Sequence, residues 1–347
     1  MNIQDLHEES WKQLDGWRAR LPHSLLLTGP RGIGKFDLAR VFAESLLCES
    51  PLPSRAACGS CPACGWLAHG NHPDFRRIQP EALAGDDGDG GEGGKKKPSQ
   101  QIIIDQIRAL DDFLHVGTHR QGMRVLLFHP AEAMNRHTAN SLLKSLEEPI
   151  PGTLFLLVSS EPERLLPTIR SRCQRLSIPL PETSRARGWL AERGIEDAAR
   201  WLALAGGSPL WAAELGSGDE RALLDALVTE LAKGGRVDPL AAAAVADRVV
   251  KADKRPASLR RVVEWGQKWL VDLILARAGQ APRYFLAQAA PLARLAGRTE
   301  LSGLLAFSRK ALQYRLQCAQ PLNSRLFLED FFMNYAALFE PVRDGHG

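Results

Sequence analysis

The sequence lacks long hydrophobic runs: no stretch approaches the roughly 18 consecutive apolar residues that predict a transmembrane helix. It begins with the polar and acidic residues MNIQDLHEES, which lack the basic and apolar regions of a signal peptide. We therefore expect a cytoplasmic protein without membrane contact. In that compartment the six cysteines should stay reduced, so a cluster of them favours metal binding over disulfides.

A strong charge of either sign is also missing. The 44 Lys and Arg residues against 40 Asp and Glu leave a formal charge of +4 over 347 residues. A dedicated DNA-binding domain usually carries a denser basic stripe, so the composition permits DNA contact without indicating it. Hydrophobic residues (44%) and charged residues (24%) are typical of soluble globular proteins, and the length suggests about two or three domains.

The first half alternates short apolar runs with helical patterns. Four runs are predicted to be buried strands, at 24–28, 124–128, 153–158 and 175–178. Helical patterns lie between them, including 37–47 and 139–146. Continuous apolar strands separated by helices indicate a parallel sheet covered on both faces. The sequence therefore predicts an α/β domain over residues 1–180.

Residues 85–98 form a polar insertion in this domain. Six glycines and seven charged residues among these fourteen cannot bury a core, which predicts a flexible loop. A calcium-binding EF-hand is the weaker interpretation, because the segment has no glutamate at the twelfth position of the loop.

The second half has a different character. Alanine, leucine and arginine dominate after residue 180, and strand-like runs disappear. Glycine-containing segments at 206–209 and 216–219 separate the helical patterns. This pattern predicts a small helical unit over 181–220, followed by a longer helical bundle over 221–347.

A degenerate phosphate-binding loop follows the first predicted strand. The segment GPRGIGK at 29–35 fits G-x-x-x-x-G-K-[ST] up to the last position, where Phe36 replaces Ser or Thr. In a working loop the backbone around the glycines and the lysine would contact phosphates, here at Gly29, Gly32, Gly34 and Lys35. Phe36 has no oxygen to offer a magnesium ion.

The second predicted strand also lacks its magnesium-binding acids. P-loop ATPases carry an acidic residue after this strand, whereas here the chain reads His129-Pro130-Ala131-Glu132. Two missing magnesium contacts in separate motifs indicate a P-loop fold that does not hydrolyse ATP. We expect that ATP is not bound, although the glycine loop and Lys35 leave residual binding open.

Four cysteines follow the first P-loop helix with the spacing C-x9-C-x2-C-x2-C. They are Cys48, Cys58, Cys61 and Cys64. Tetrahedral zinc prefers four soft ligands, so the spacing predicts a structural zinc site. A redox role for one C-x2-C pair would leave the other thiols unexplained. His69 or His72 could replace one cysteine ligand.

Several motifs together resemble the clamp-loader branch of the AAA+ ATPases, over nearly the whole chain. They are NSLLK at 140–144, LEEP at 146–149, LPTI at 166–169, SRC at 171–173, GGSP at 206–209 and LNSRLFLED at 322–330, besides the P-loop and the cysteine cluster. The resemblance implies an AAA+ α/β domain with an inserted zinc module (48–64), a helical lid domain (181–220) and a helical collar that mediates oligomerisation (221–347).

The resemblance also implies a function. Bacterial clamp loaders of DNA polymerase III, a nucleotidyltransferase, are hetero-pentamers of gamma or tau motor subunits with a delta subunit and a non-hydrolysing stator. They use ATP to open a sliding clamp and close it around primed DNA. The degenerate motifs fit the stator. By the same resemblance, Arg172 would act as an arginine finger in trans at a neighbouring ATP site, positioned by Ser171 and Cys173.

Two alternatives come from other functional classes. An active gamma- or tau-like motor would need Ser or Thr at position 36 and an acidic pair near 129–132. A zinc-dependent DNA-binding module would favour a basic, aromatic surface around the cysteines, where the chain offers Arg55 and Trp66. In the stator interpretation, we expect the apolar residues of 322–340 to lie partly against other subunits.

Overall fold

The computed structural model describes residues 1–83, 98–115, 122–218, 221–252, 258–318 and 323–340. The chain divides into two compact units, Met1–Arg185 and Ala186–Gly347. Apart from residue 98, the predicted insertion at 85–98 lies outside the described residues. The division of the helical half into 181–220 and 221–347 stays a prediction.

The first unit is built on a five-stranded parallel sheet. The strands are β1 (Ser24–Thr28), β2 (Phe75–Ile78), β3 (Arg124–Phe128), β4 (Thr153–Ser159) and β5 (Gln174–Ser177). Their order is β2-β3-β4-β1-β5, and every neighbouring pair is parallel. All residues of β1, β3 and β4 are buried, which explains their continuous apolar runs. The predicted parallel α/β architecture is confirmed.

Helices cover both faces of this sheet. They are α1 (Ile3–Leu6), α2 (Glu8–Gly16), α3 (Lys35–Leu47), α4 (Pro62–Ala68), α5 (Ile104–His115), α6 (Arg136–Glu147) and α7 (Pro167–Arg172). The next helix, α8 (Thr183–Ala191), crosses the unit boundary. Successive β1 residues face opposite sides, as the pleat requires. Leu25 joins a core with Phe42 of α3, whereas Leu26 joins a second core with Leu142 of α6.

The second unit contains helices and no strand among its described residues. Its helices are α9 (Ala198–Leu204), α10 (Pro209–Gly216), α11 (Arg221–Leu231), α12 (Pro239–Ala252), α13 (Ser258–Arg277), α14 (Ala289–Ala296), α15 (Leu301–Gln317) and α16 (Ser324–Ala337). Inside the bundle, Trp269 Nε1 donates to the Tyr335 hydroxyl (3.0 Å), which donates to the Leu231 carbonyl (2.6 Å). The predicted all-α second half is confirmed. No described helix is long and apolar enough to cross a membrane.

The apolar residues near the chain end pack mainly inside this unit. Phe327, Leu328, Phe331, Phe332 and Tyr335 of α16 are buried. Leu326 and Met333 are at least half exposed. Most of the large described side chains in 322–340, the segment predicted to lie partly against other subunits, therefore belong to the core of the bundle.

Candidate functional site

The loop between β1 and α3 has the shape of a phosphate-binding loop. A Cβ at Gly29 would lie 2.3 Å from the Ile178 carbonyl oxygen, so only glycine fits there. Gly34 has φ +92°, a left-handed conformation that L side chains rarely adopt, and α3 begins at the next residue. The loop therefore presents a helix N-terminus at the carboxyl end of β1.

Lys35 is turned into the chain's own loop. Its side chain is buried, and Nζ donates to the Pro30 carbonyl (2.6 Å) and to Ser160 Oγ (2.9 Å). Burial lowers the pKa of Lys35 to about 8, although the nearby Glu132 carboxylate raises it in part. In a working P-loop this ammonium group contacts the outer phosphates. Here two of its donors bind groups of the same chain.

An aromatic stack lies where the magnesium-binding hydroxyl would be. The Phe36 ring stacks on His129, with ring centroids 4.7 Å apart and planes 30° apart. The Arg77 guanidinium lies 5.9 Å from the Phe36 centroid. The pKa of His129 is lowered to about 4, mainly by burial; the Glu132 carboxylate opposes this shift, and the charge of Lys35 contributes to it. The site thus presents a neutral imidazole and a phenyl ring, whereas magnesium requires oxygen ligands.

The remaining acid of this region binds the protein backbone. Glu132 Oε1 accepts a hydrogen bond from the Ser160 N–H (3.0 Å). His129 and Glu132 follow β3, and Ser160 follows β4. β4 lies between β3 and β1, and all three strands are parallel, so their carboxyl ends share one edge of the sheet. The structure therefore brings the P-loop, Phe36, His129 and Glu132 together in the crevice where α/β proteins bind ligands.

The four predicted cysteine ligands lie together between α3 and α4. All four Sγ atoms are within 4.8 Å of one another, and the Cys48–Cys61 and Cys58–Cys64 pairs are 3.8 and 3.9 Å apart. A tetrahedral site with Zn–S bonds of ~2.3 Å places its sulfurs about 3.8 Å apart. The cluster therefore fits one zinc ion.

Backbone N–H groups favour the thiolate form of one member of this cluster, Cys58, whereas burial raises the pKa of Cys48 and Cys64. The Ser60 and Cys61 N–H groups donate to Cys58 Sγ (3.5 and 3.3 Å), which lowers the pKa of Cys58 to about 6. The Cys58 N–H donates to Cys48 Sγ (3.3 Å). Thiolates are the form that binds metal.

The two candidate histidine ligands lie outside the cysteine cluster. His69 Nδ1 forms a hydrogen bond with the Gly65 carbonyl (2.7 Å). The buried His72 accepts a hydrogen bond from the Asp74 N–H at Nδ1 (3.0 Å). The geometry therefore favours the four-sulfur set. Arg55 pairs with Asp15 (3.4 Å), so its charge is partly neutralised.

Arg172 is the last residue of α7, and its side chain is fixed on two sides. Nη1 donates to the Thr168 carbonyl (2.9 Å), and Nη2 pairs with Glu147 Oε1 (2.5 Å) at the end of α6. The side chain remains 35% exposed. An arginine in this arrangement has a defined direction and keeps access to a partner molecule.

The neighbours of Arg172 fix its backbone. Ser24 Oγ, at the start of β1, donates to the Arg172 carbonyl (2.6 Å). Cys173 is buried in the core, and burial raises the pKa of its thiol to about 11. Ser171 Oγ donates to the Thr168 carbonyl (3.0 Å) and lies 3.5 Å from Arg172 Nη1.

The structure separates Arg172 from the chain's own P-loop. The contact with Ser24 places Arg172 at the amino end of β1, whereas the P-loop follows Thr28 at the carboxyl end. These two ends are about 13 Å apart, at roughly 3.3 Å for each of four residues. Arg172 is therefore not part of the site formed by Gly29, Lys35 and Phe36.

Two residues at these sites, Glu147 and Ser160, have no role in the sequence-based prediction, and the contact made by a third, His129, is not predicted. Glu147 pairs with Arg172, while Ser160 binds Lys35 and Glu132. His129 stacks on Phe36, although the sequence predicts only that it replaces an acid. For Glu147, the signal in the sequence that could have pointed to a role at the site is its place in the LEEP motif. For Ser160, that signal is its position directly after a buried strand.

Comparison with known proteins places the chain in a family. Residues 8–182 match the family model described as DNA polymerase III, delta subunit. The chain is 45% identical over 209 residues to DNA polymerase III subunit delta' of Pseudomonas aeruginosa, which covers 59% of this chain and 58% of that protein. It is 28% identical over 328 residues to subunit delta' of Escherichia coli, and this match covers 92% of this chain and 90% of that protein.

A shorter likeness extends to a second subunit type. Subunit tau of Escherichia coli is 29% identical over 168 residues, which cover 48% of this chain and 23% of that protein. The match with the Pseudomonas aeruginosa subunit spans less than two thirds of that relative's length. The family model, however, matches about half of the chain and covers the sheet, the P-loop, the cysteine cluster and Arg172. The chain therefore belongs to the family of DNA polymerase III delta-prime subunits.

Proposed function

We propose that the chain is a non-hydrolysing clamp-loader subunit of DNA polymerase III that acts in the cytoplasm and helps to load the sliding clamp onto primed DNA. In this proposal Arg172 enters the ATP site of a neighbouring motor subunit of the gamma or tau type. One observation carries it: beside the chain's own P-loop, Phe36 and His129 stack at the magnesium-binding positions and Lys35 binds Pro30 and Ser160, while Arg172 lies at the opposite end of β1.

The missing magnesium ligands at the P-loop support the absence of hydrolysis. Catalysis of phosphoryl transfer depends on magnesium and cations that neutralise charge on the transferred group. Here the hydroxyl position is Phe36, the acid after β3 is His129, and Glu132 already binds the Ser160 N–H. A nucleotide bound at this loop would lack magnesium-binding groups, so its γ-phosphate would not be activated.

The isolated chain should not hydrolyse ATP above background. We expect the same of Phe36→Thr, because the new hydroxyl restores one magnesium ligand while His129 still occupies the position of the other. Phosphate release in excess magnesium measures this, with an isolated gamma- or tau-type subunit as the positive control. Hydrolysis by the wild-type chain at the rate of that control would support the active-motor alternative.

Distance supports action of Arg172 in trans. The guanidinium lies too far from the chain's own P-loop to serve it, yet it is one-third exposed. An arginine supplied by a second subunit stabilises charge in the transition state of phosphoryl transfer. A motor subunit that docks against the α6–α7 edge would receive this group at its own nucleotide.

The cysteine cluster is proposed to hold one structural zinc ion. The four thiolates of Cys48, Cys58, Cys61 and Cys64 would complete the coordination and leave no open position for catalysis. The ion would tie the end of α3 to the start of α4, where Cys61 caps the helix through the Cys64 N–H (3.5 Å). Its contribution is therefore to the stability of residues 48–64.

The proposed partners are the motor subunits and the delta subunit of a hetero-pentamer, contacted in part through α15. Four leucines of this helix are 44–76% exposed: Leu301, Leu305, Leu312 and Leu316. At 100° per residue they lie within about 60° of one another, so they form one stripe. An exposed apolar stripe of this kind marks a protein contact, and we assign it to a neighbouring subunit.

Placing aspartate at both Leu312 and Leu316 should weaken assembly by about 10²-fold or more, since each leucine contributes roughly 1.5–3 kcal/mol when it is buried at an interface. Sedimentation of the chain with motor and delta subunits measures the change. Leu240→Asp is the matched control, because Leu240 is 55% exposed and lies on α12 outside the stripe. Wild-type assembly of the double variant would exclude this face of α15.

A further inference from the structure

We infer that Glu147 is a positioning residue for Arg172: its carboxylate holds the guanidinium in the direction from which it reaches a neighbouring subunit. The inference rests on the proposed action of Arg172 in trans. Its basis is the ion pair between Arg172 Nη2 and Glu147 Oε1 at 2.5 Å, together with the hydrogen bond from Nη1 to the Thr168 carbonyl. Two anchors on different helices define the plane of the guanidinium.

Both members of the ion pair are fixed to the same end of β1. His23 Nε2 donates to the Leu146 carbonyl (3.2 Å), directly before Glu147. Ser24 Oγ donates to the Arg172 carbonyl (2.6 Å). Because His23 and Ser24 are adjacent, the ends of α6 and α7 are held at a constant separation. The pair is therefore preformed by the backbone.

The contacts leave the guanidinium able to bind a phosphate. Arginine has five N–H donors. The contacts with Thr168, Ser171 and Glu147 use three of them, two on Nη1 and one on Nη2, so two donors remain. The remaining donors are enough for a two-point contact with phosphate oxygens. Glu147 therefore orients Arg172 without blocking it.

The ion pair between Arg172 and Glu147 contributes little to the stability of the fold. The two side chains are 35% and 47% exposed, and ion pairs at such exposure contribute about 0–1 kcal/mol to folding. A free arginine side chain, in contrast, samples many rotamers, and ordering it opposes binding. Holding one rotamer before the partner arrives removes that cost from the catalytic step.

The test uses the complete clamp loader, rebuilt with variant chains. Glu147→Ala should lower kcat for DNA-dependent ATP hydrolysis by about threefold with little change in the KM for ATP, because misorientation acts on the catalytic step. Glu147→Gln should retain most of the rate, since the amide oxygen still accepts from Nη2. Glu148→Ala is the matched control: it removes the same charge one residue away and, among the described residues, Glu148 has no ion pair with Arg172.

The double variant distinguishes positioning from a structural effect. In an Arg172→Ala background, Glu147→Ala should cause no further loss, because the group that it positions is gone. The inference would be overturned if the losses of ATPase rate from Glu147→Ala and Arg172→Ala multiplied in the double variant. It would also be overturned if Glu147→Ala alone raised the ATPase rate. If Arg172→Ala lowers the rate but Glu147→Ala does not, the inference fails alone. If Arg172→Ala has no effect, the proposed action in trans fails, and the role of Glu147 fails with it.

Discussion

Replacing Arg172 with alanine should slow ATP hydrolysis by the assembled clamp loader while the isolated chain stays inactive. An arginine finger contributes about 10³–10⁵-fold at the site that it enters in GTPases. The whole complex should lose less than this, about tenfold: only one of several motor sites faces this subunit, but the sites act together, so one slow site holds back the others. Arg172→Lys should recover little, since an ammonium group cannot reproduce the planar fork that pairs with phosphate oxygens.

The measurement is clamp-stimulated, DNA-dependent ATPase of complexes rebuilt with wild-type or variant chain, with assembly checked by size. Arg170→Ala is a close control, because Arg170 lies on the same helix with the same 35% exposure and pairs with Glu163 (2.5 Å). The loss should be specific to Arg172. Equal rates for Arg172→Ala and wild type at equal assembly would make Arg172 an ordinary interface residue.

The sheet shows which parts of the fold can be predicted from the sequence. β1, β3 and β4 are buried along their whole length, so their apolar runs stand out in the chain. β2 was missed because Arg76 and Arg77 interrupt any such run. As an edge strand, β2 keeps these two arginines exposed, and pairing with β3 alone makes it a strand.

As with the strands, some features of the sites can be predicted from local sequence, whereas others depend on the tertiary fold. The cysteine spacing lies within seventeen residues, so it defines a metal site before any fold is known. The sequence also shows that magnesium ligands are missing at Phe36 and His129. What replaces them is a stack of these two rings, and it depends on how β1 and β3 are each paired with β4, the strand between them. The Glu147–Arg172 pair likewise exists only because α6 and α7 end beside each other.

Loss of zinc should destabilise the first unit more than any single surface change. The purified chain should contain one zinc ion, and Cys61→Ser should remove it, because Cys61 is both a cluster ligand and the N-cap of α4. Structural zinc sites in peptides bind with about 10–16 kcal/mol, comparable with the entire stability of a domain. We therefore expect residues 48–64 to lose their order and the melting temperature of the first unit to fall by about 10 °C.

Metal analysis and thermal melting with and without a strong chelator measure this effect. Cys318→Ser is the matched control, since Cys318 lies on the second unit and outside the cluster. His69→Ala should also keep the zinc, because its ring bonds the Gly65 carbonyl in place of the metal. Chelation should lower the melting temperature of wild type and leave that of Cys61→Ser unchanged, since the variant has no ion to lose. Protein purified without chelator that contains no zinc would exclude the site.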